Sequence, residues 1–292
     1  MSRLAASDVV VVGSYVKDGI EVAEWVVATA TGVTAFYDID TPVTLAAVRR
    51  GACEYLTPDL IPCFDLYLSF TGGPLLDHLE QALRAPRARA FHCLVDVDLY
   101  SPVSVATRWE LGYLGTYSDD RQPVLDALLC EPARRRPDAR FVVAGPQYPD
   151  HIDWPANVER SQHLSPVQHP RFYGAQRFTL NVTRADMVAT GWSPSVRLFE
   201  AAACGVPVIS DWWDGLDHFF RPGEEILVAV DGDDVLRHLA DVDEGQRRAI
   251  AAAARRRVLD HHTAAHRAAE FEAHVAEVGA ARQIRVGAHR PT

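Results

Sequence analysis

Lysine is almost missing from this 292-residue sequence: Lys17 stands alone, and every other basic side chain is arginine. That bias reads as GC-rich coding and excludes nothing by itself. A surplus of positive charge is missing too, since 29 Lys and Arg face 39 Asp and Glu for a formal −10. A chain of that sign has no general attraction for phosphate backbones or anionic lipid, so nucleic acid is excluded as the expected partner. The five cysteines, Cys53, Cys63, Cys93, Cys130 and Cys204, are odd in number and lack any C-x-x-C spacing. Neither a disulfide framework nor a zinc site follows from them. No apolar run approaches the roughly 20 residues that span a bilayer. The opening MSRLAASDVVVVG runs straight into a strand-like segment, with no room for a leader peptide. A cytoplasmic protein without a transmembrane segment is expected.

What is present is the raw material of a core: 48% of residues are apolar and 23% charged, a globular balance. At this length two domains are expected, because single cores stop growing at roughly 250 residues. Short β-branched runs alternate with alanine- and leucine-rich stretches of helical spacing, the pattern of a parallel sheet with helices on both faces. The pattern occurs twice. Strands are predicted at 8–12, 34–37, 64–70 and 90–95, then at 111–114, 140–144, 158–161, 178–182, 206–209 and 226–230. Between them lie predicted helices, among them 19–29, 44–50, 74–83, 123–131, 169–175, 194–204, 233–240 and 244–258. The fold class is therefore α/β with two Rossmann-like domains, residues 1–105 and 106–278, joined by a linker near 98–108. A last amphipathic helix is predicted over 263–278, followed by a flexible tail at 279–292.

The most informative segment is Gly191-Trp-Ser-Pro-Ser-Val-Arg-Leu-Phe-Glu-Ala-Ala-Ala-Cys-Gly-Val-Pro-Val-Ile209. Ser193 followed by Pro194 reads as an N-cap with proline at the first helical position. A helix start, here with Ser193 and Ser195, offers unpaired N–H groups and partial positive charge to a diphosphate. Arg197 in the first turn adds a permanently charged fork for phosphate. Glu200, one turn on, suits the vicinal hydroxyls of a ribose. The alternative is a capped surface helix on which Arg197 and Glu200 pair with each other.

The run Arg-Leu-Phe-Glu-Ala-Ala-Ala-Cys-Gly-Val-Pro-Val-Ile resembles the nucleotide-binding helix of glycosyltransferases of the two-Rossmann-domain (GT-B) type. Tyr37-Asp-Ile-Asp-Thr-Pro42, Leu111-Gly-Tyr-Leu-Gly-Thr-Tyr117 and Leu180-Asn-Val-Thr-Arg-Ala-Asp-Met187 resemble segments of its CgeB-like (spore-maturation) group. The resemblance implies a nucleoside-diphosphate-sugar donor held in an interdomain cleft, mainly by the C-terminal domain, and an acceptor against the N-terminal one. It matches Glu200 to the ribose-binding glutamate and makes a phosphate contact plausible for Arg197. It also implies a glycine turn and basic phosphate ligand in Gly115, Thr116, Tyr117 and Arg121. Gly145-Pro146 would let backbone approach the base, and backbone at His163-Leu164 would read its edge. Retaining members of the fold carry a second glutamate eight positions before the ribose-binding one; Trp192 stands there instead. A direct displacement then needs one general base on the acceptor side.

Tyr37-Asp-Ile-Asp-Thr-Pro42 puts two carboxylates at the end of a strand, where doubly wound sheets hold ligands. Asp40 is the first choice for the base and Asp38 the second; the competing reading is that Asp40-Thr-Pro opens a turn and caps the next helix. Asp96 and Asp98 form a similar pair. Gly13 and Ser14, after the first strand, offer backbone N–H groups to phosphate or acceptor but lack the full G-x-G-x-x-G fingerprint, which disfavours an oxidoreductase. Gly72-Gly73 either permits close ligand approach or only makes a turn. His261, His262 and His266 read as a solvated helical face rather than a metal site, and Trp212-Trp213 as either a sugar-stacking or a packing pair. No metal and no tightly bound cofactor are expected. The acceptor is a glycan, lipid-linked, protein or small-molecule hydroxyl, and the short first domain implies a shallow cleft, an acceptor that brings its own surface, or a partner protein or homodimer that completes the site. A sugar-nucleotide epimerase and a non-catalytic sugar-nucleotide-binding subunit are the rival functions.

Overall fold

The computed structural model describes residues 3–288, which fold as two compact units, one of residues 3–92, 190–193 and 265–288 and the other of 93–189 and 194–264. These limits divide the chain differently from the sequence boundaries. Residues 190–193 and the C-terminal helix belong to the first unit, not to a second domain reaching residue 278.

The first unit is a four-stranded parallel sheet in chain order, β1 (Val9–Gly13), β2 (Val33–Asp38), β3 (Leu66–Ser69) and β4 (Ala88–Ala90). Helices α1 (Gly19–Thr29), α2 (Thr41–Arg49) and α3 (Pro74–Gln81) connect them. Successive crossovers of one hand put all three helices on one face. There Ala23 and Val26 of α1, Leu45 and Val48 of α2, and Leu79 of α3 pack on Val12, Phe36 and Tyr67. The opposite face carries Val33, Ala35, Leu66 and Leu68, which are as apolar as the first, because alternate side chains of a buried parallel strand both enter a core. The last helix covers this second face through Phe271, Val275 and Val278. The strand expected over 90–95 ends instead at Ala90, where pairing with β3 stops.

The second unit is a six-stranded, all-parallel sheet built from β5 (Trp109–Leu114), β6 (Phe141–Ala144), β7 (Val158–Ser161), β8 (Gln176–Asn181), β9 (Val208–Ser210) and β10 (Leu227–Val228). Their spatial order is β10-β9-β8-β5-β6-β7, so the chain reverses direction across the sheet between β5 and β8. Leu111 is registered between Phe141 and Phe178 in the centre of the core. Helices α4 (Gln122–Leu125) and α5 (Glu131–Arg135) flank a π-helical turn at Asp126–Cys130, and α6 (His169–Gly174), α7 (Ala185–Thr190) and α8 (Val196–Ala203) follow. The short α9 (Leu216–Phe219), then α10 (Gly232–Asp241) and α11 (Glu244–His261), complete this unit. Helix α12 (Ala264–Ala288) runs through the expected tail as far as the described residues go, so 279–288 is helix rather than frayed chain. No helix among the described residues is long and apolar enough to cross a membrane.

Candidate functional site

Open α/β sheets bind ligands at the carboxyl ends of the strands where the strand order reverses. In the second unit that place is the ends of β5 and β8, and on its β5 side a cavity of about 500 Å³ opens past the ends of β5, β6 and β7 and against the start of α8. Ten residues singled out in the sequence line it: Gly115, Thr116, Arg121, Gly145, Pro146, His163, Leu164, Ser195, Arg197 and Glu200. Tyr117 does not; its ring stands edge-on to Tyr148, 5.5 Å between centroids. Gly13, Ser14 and Ser193 belong to the first unit.

Gly145 must be glycine for this cavity to form, and Gly115 has little room for a side chain. Gly145 has φ +147°, and a Cβ there would lie 1.9 Å from the Gly115 carbonyl oxygen, closer than any side chain tolerates. A Cβ on Gly115 would meet the Tyr113 hydroxyl at 2.5 Å and the Arg197 guanidinium at 2.8 Å.

Helix α8 starts two residues later than the Ser193-Pro194 pair suggests. Its N-cap is Ser195, whose hydroxyl accepts from the Arg197 amide. Ser193 is buried and engaged elsewhere, its Oγ 2.6 Å from Thr71 Oγ1 and donating to the Gly191 carbonyl at 3.1 Å. The sequence cap is thereby corrected: tertiary hydrogen bonds hold Ser193 out of the helix.

Arg197 does not pair with Glu200. Only 8% exposed, its guanidinium donates to the Leu114 carbonyl and, at 3.0 Å, to Asn181 Oδ1, and lies 4.7 Å from the centre of the Tyr113 ring. Arg121 donates to Ser118 Oγ at 2.8 Å and to the Thr116 carbonyl at 2.6 Å. Among the described residues neither arginine forms an ion pair with a carboxylate. For Arg197, a buried charge held only by neutral partners, this is unfavourable unless an anion joins it. Glu200 accepts from the Tyr173 hydroxyl at 3.1 Å, and His169 Nδ1 lies 4.0 Å away. Burial first, and Glu200 second, push the Tyr173 hydroxyl well above its usual range, so it stays a donor.

Sequence reading missed the support behind Arg197. Asn181, at the end of β8, directs its amide nitrogen to Ser210 Oγ at 3.0 Å and Thr183 Oγ1 at 3.2 Å, which leaves its oxygen for the guanidinium. Asp211 anchors this cluster by accepting from the Thr183 amide at 3.0 Å and hydroxyl at 2.9 Å. Burial raises the Asp211 carboxyl above the usual carboxylate range against these bonds. Polar residues at the ends of two different strands, β8 and β9, carry no shared sequence spacing, so no local signal marks them.

In the first unit the two aspartates separate. Asp38 is fully buried and accepts from Tyr67 at 2.7 Å, Thr44 at 2.8 Å and the Asp40 amide at 3.2 Å. Burial raises its carboxyl despite these bonds. A raised folded value means full stability from this group at low pH, lost as pH rises through that value. We expect Asp38→Asn to lose less of its thermal midpoint than the parent protein between about pH 4 and about pH 7; an equal loss would show that Asp38 does not set the slope. Asp40 is half-buried at the N-cap position of α2, makes no side-chain cap bond, and accepts from the Tyr15 hydroxyl at 2.9 Å. Ser14 Oγ accepts from the Ile39 amide at 3.2 Å and so shapes the same turn.

The remaining motifs resolve simply. Trp192 has φ +53° and lays its indole on Gly73, where a Cβ would come within 2.4 Å. Trp213 is core beside Phe219, whereas Trp212 is 42% exposed. His262 corrects the solvated face expected for it: it is buried and packs at a tilt against Phe199, 4.6 Å between ring centroids.

Residues 121–273 match a family described as glycosyl transferase-like. No curated protein matches the chain. Several solved structures resemble it. Trehalose 6-phosphate synthase from Burkholderia multivorans is 12% identical with a TM-score of 0.66, over 99% of this chain and 75% of that one. Sucrose-phosphate synthase from Thermosynechococcus elongatus is 15% identical with a TM-score of 0.65, over 97% and 75%. HepE from Anabaena, in complex with UDP-glucose, is 13% identical with a TM-score of 0.65, over 96% and 79%.

Proposed function

The chain belongs to the glycosyl transferase-like family and has the two-sheet α/β fold of GT-B glycosyltransferases, and from that premise we propose that it moves a sugar from a nucleoside diphosphate to a hydroxyl-bearing acceptor by direct displacement. The observation that carries this reading is the pair Arg121 and Arg197, two cations that form no ion pair with a carboxylate among the described residues and that line one cavity with the start of α8.

In this reading the two guanidiniums and the helix dipole neutralise the diphosphate and stabilise it as it leaves, so a tightly held cation is not required. Glu200, oriented by Tyr173, accepts from the ribose hydroxyls. The backbone at Gly145-Pro146 and His163-Leu164 faces the base. Asp40 takes the proton of the attacking acceptor hydroxyl while the sugar–phosphate bond breaks, and Trp192 in place of a second glutamate accords with a single displacement. The segments 37–42, 111–117 and 180–187 support placement in the CgeB-like group.

Calorimetric titration of the full chain with UDP, GDP, TDP, ADP and CMP, with and without magnesium, tests it. UDP comes first, because HepE is solved with UDP-glucose. Saturable binding of one nucleoside diphosphate without metal is expected; binding of none would overturn the donor site. Conversion of the donor sugar with no acceptor present would favour an epimerase. We further expect Glu200→Ala to weaken that nucleoside diphosphate at least about tenfold and leave pyrophosphate unchanged, the loss of hydrogen bonds to a charged group. Equal loss of both would remove Glu200 from the ribose.

A further inference from the structure

A second cavity, of about 550 Å³, shares Gly145, Pro146 and His163 with the donor cavity and continues it past the ends of β6 and β7. Its distinguishing feature is Arg160, on β7. The guanidinium lies 4.1 Å from the centre of the Tyr148 ring and 4.2 Å from that of Trp154, and those rings meet edge to face at 5.4 Å. Nη1 donates to the Val143 carbonyl at 3.1 Å, and among the described residues Arg160 has no ion pair. The Tyr148 hydroxyl donates in turn to the Gly115 carbonyl at 3.1 Å, tying this wall to the donor turn.

Two rings against one guanidinium fix its plane and shield it from water, an arrangement that strengthens cation–π attraction. The polar edge of the group is what remains for a ligand. That edge is all donor: arginine accepts no hydrogen bond and holds its proton at any working pH. It therefore suits carbonyl oxygens on the rim of a planar ring; adenine presents only ring nitrogens beside an exocyclic amine, and that amine meets a second donor of the fork unfavourably.

We infer that Arg160 stands at the base-facing end of the donor site proposed above and selects a base bearing carbonyl oxygens, uracil or guanine, over adenine. The inference rests on the donor-site reading above and adds the class of base and the residue that chooses it. Arg160 is a specificity residue, remote from the reacting atoms, and the Tyr148 and Trp154 rings position it.

The test is titration of the full chain, and of Arg160→Met and Arg160→Lys, with UDP, GDP, ADP and inorganic pyrophosphate, with melting curves to confirm folding. The parent protein binds UDP or GDP at least about tenfold more tightly than ADP, the order of discrimination of one paired guanidinium contact. Arg160→Met abolishes that preference and leaves pyrophosphate and ADP affinity unchanged. Arg160→Lys, with a point charge in place of the fork, retains part of it. An unaltered preference in Arg160→Met overturns the assignment, as does an equal loss of pyrophosphate and UDP, which marks the stack as a scaffold only. Pyrophosphate binding without discrimination among bases in the parent protein sinks the nucleobase inference alone. Failure of pyrophosphate and all three nucleotides to bind sinks the donor site with it.

Discussion

Asp40→Asn is expected to lower turnover by about 10²–10⁴-fold while the affinity for the nucleoside diphosphate stays as it was, the range for losing a positioned general base. Asparagine has the shape of aspartate and still accepts from the Tyr15 hydroxyl, which bonds Asp40 at 2.9 Å. Only the capacity to take a proton disappears. The competing use of Asp40 as a helix cap predicts a different outcome, since an Asp→Asn change at a cap costs little and leaves turnover alone. The absence of a side-chain cap bond at the start of α2 argues for the first outcome. Asp38→Asn is the matched control: that carboxyl is fully buried behind Tyr67 and Thr44. A large fall in turnover with Asp38→Asn and none with Asp40→Asn, measured with donor saturating, would reverse the assignment.

Arg197→Met should weaken both the nucleoside diphosphate and pyrophosphate by roughly 10–150-fold, the equivalent of about 1.5–3 kcal/mol for hydrogen bonds to a charged group. The free nucleoside should bind as before. Methionine approximates the aliphatic stem, so the packing on Tyr113 is partly kept. What is lost is the donor set to Leu114 and Asn181 and the charge itself. Leaving the Asn181 oxygen unpaired costs about 1–3 kcal/mol of stability, so melting curves must accompany the titration. Arg197→Lys separates the two effects, because it restores charge without the planar fork. Undiminished pyrophosphate affinity in a folded Arg197→Met protein would reduce Arg197 to a clamp between β5 and β8.

Much of the α/β architecture was legible along the chain because its signals are local. Periodicity in β-branched and alanine-rich runs placed β1, β2, β5, β6 and β7 to within a residue or two, and Arg197 and Glu200 were read together because three positions span one helical turn. Gly115 and Gly145 were visible as turns that follow strands. Errors came where a local signal had two equal solutions. Ser193-Pro194 and Ser195-Val196 both make sound helix starts, and only the hydrogen bond of Ser193 to Thr71, 122 residues earlier, decides between them.

By itself the sequence determined that strands and helices alternate in two blocks, that an arginine and a glutamate share the first turns of α8, and that glycines follow β5 and β6. Tertiary structure alone decided which sheet receives α12, since an apolar stripe specifies burial but not an address; the open face of Val33, Ala35, Leu66 and Leu68 supplies one. It alone also set Asn181 and Asp211 behind Arg197 and brought Arg160 against the rings of Tyr148 and Trp154. Parallel strands bring their carboxyl ends side by side only after long crossovers have closed, so residues that share a site there share no spacing in the chain.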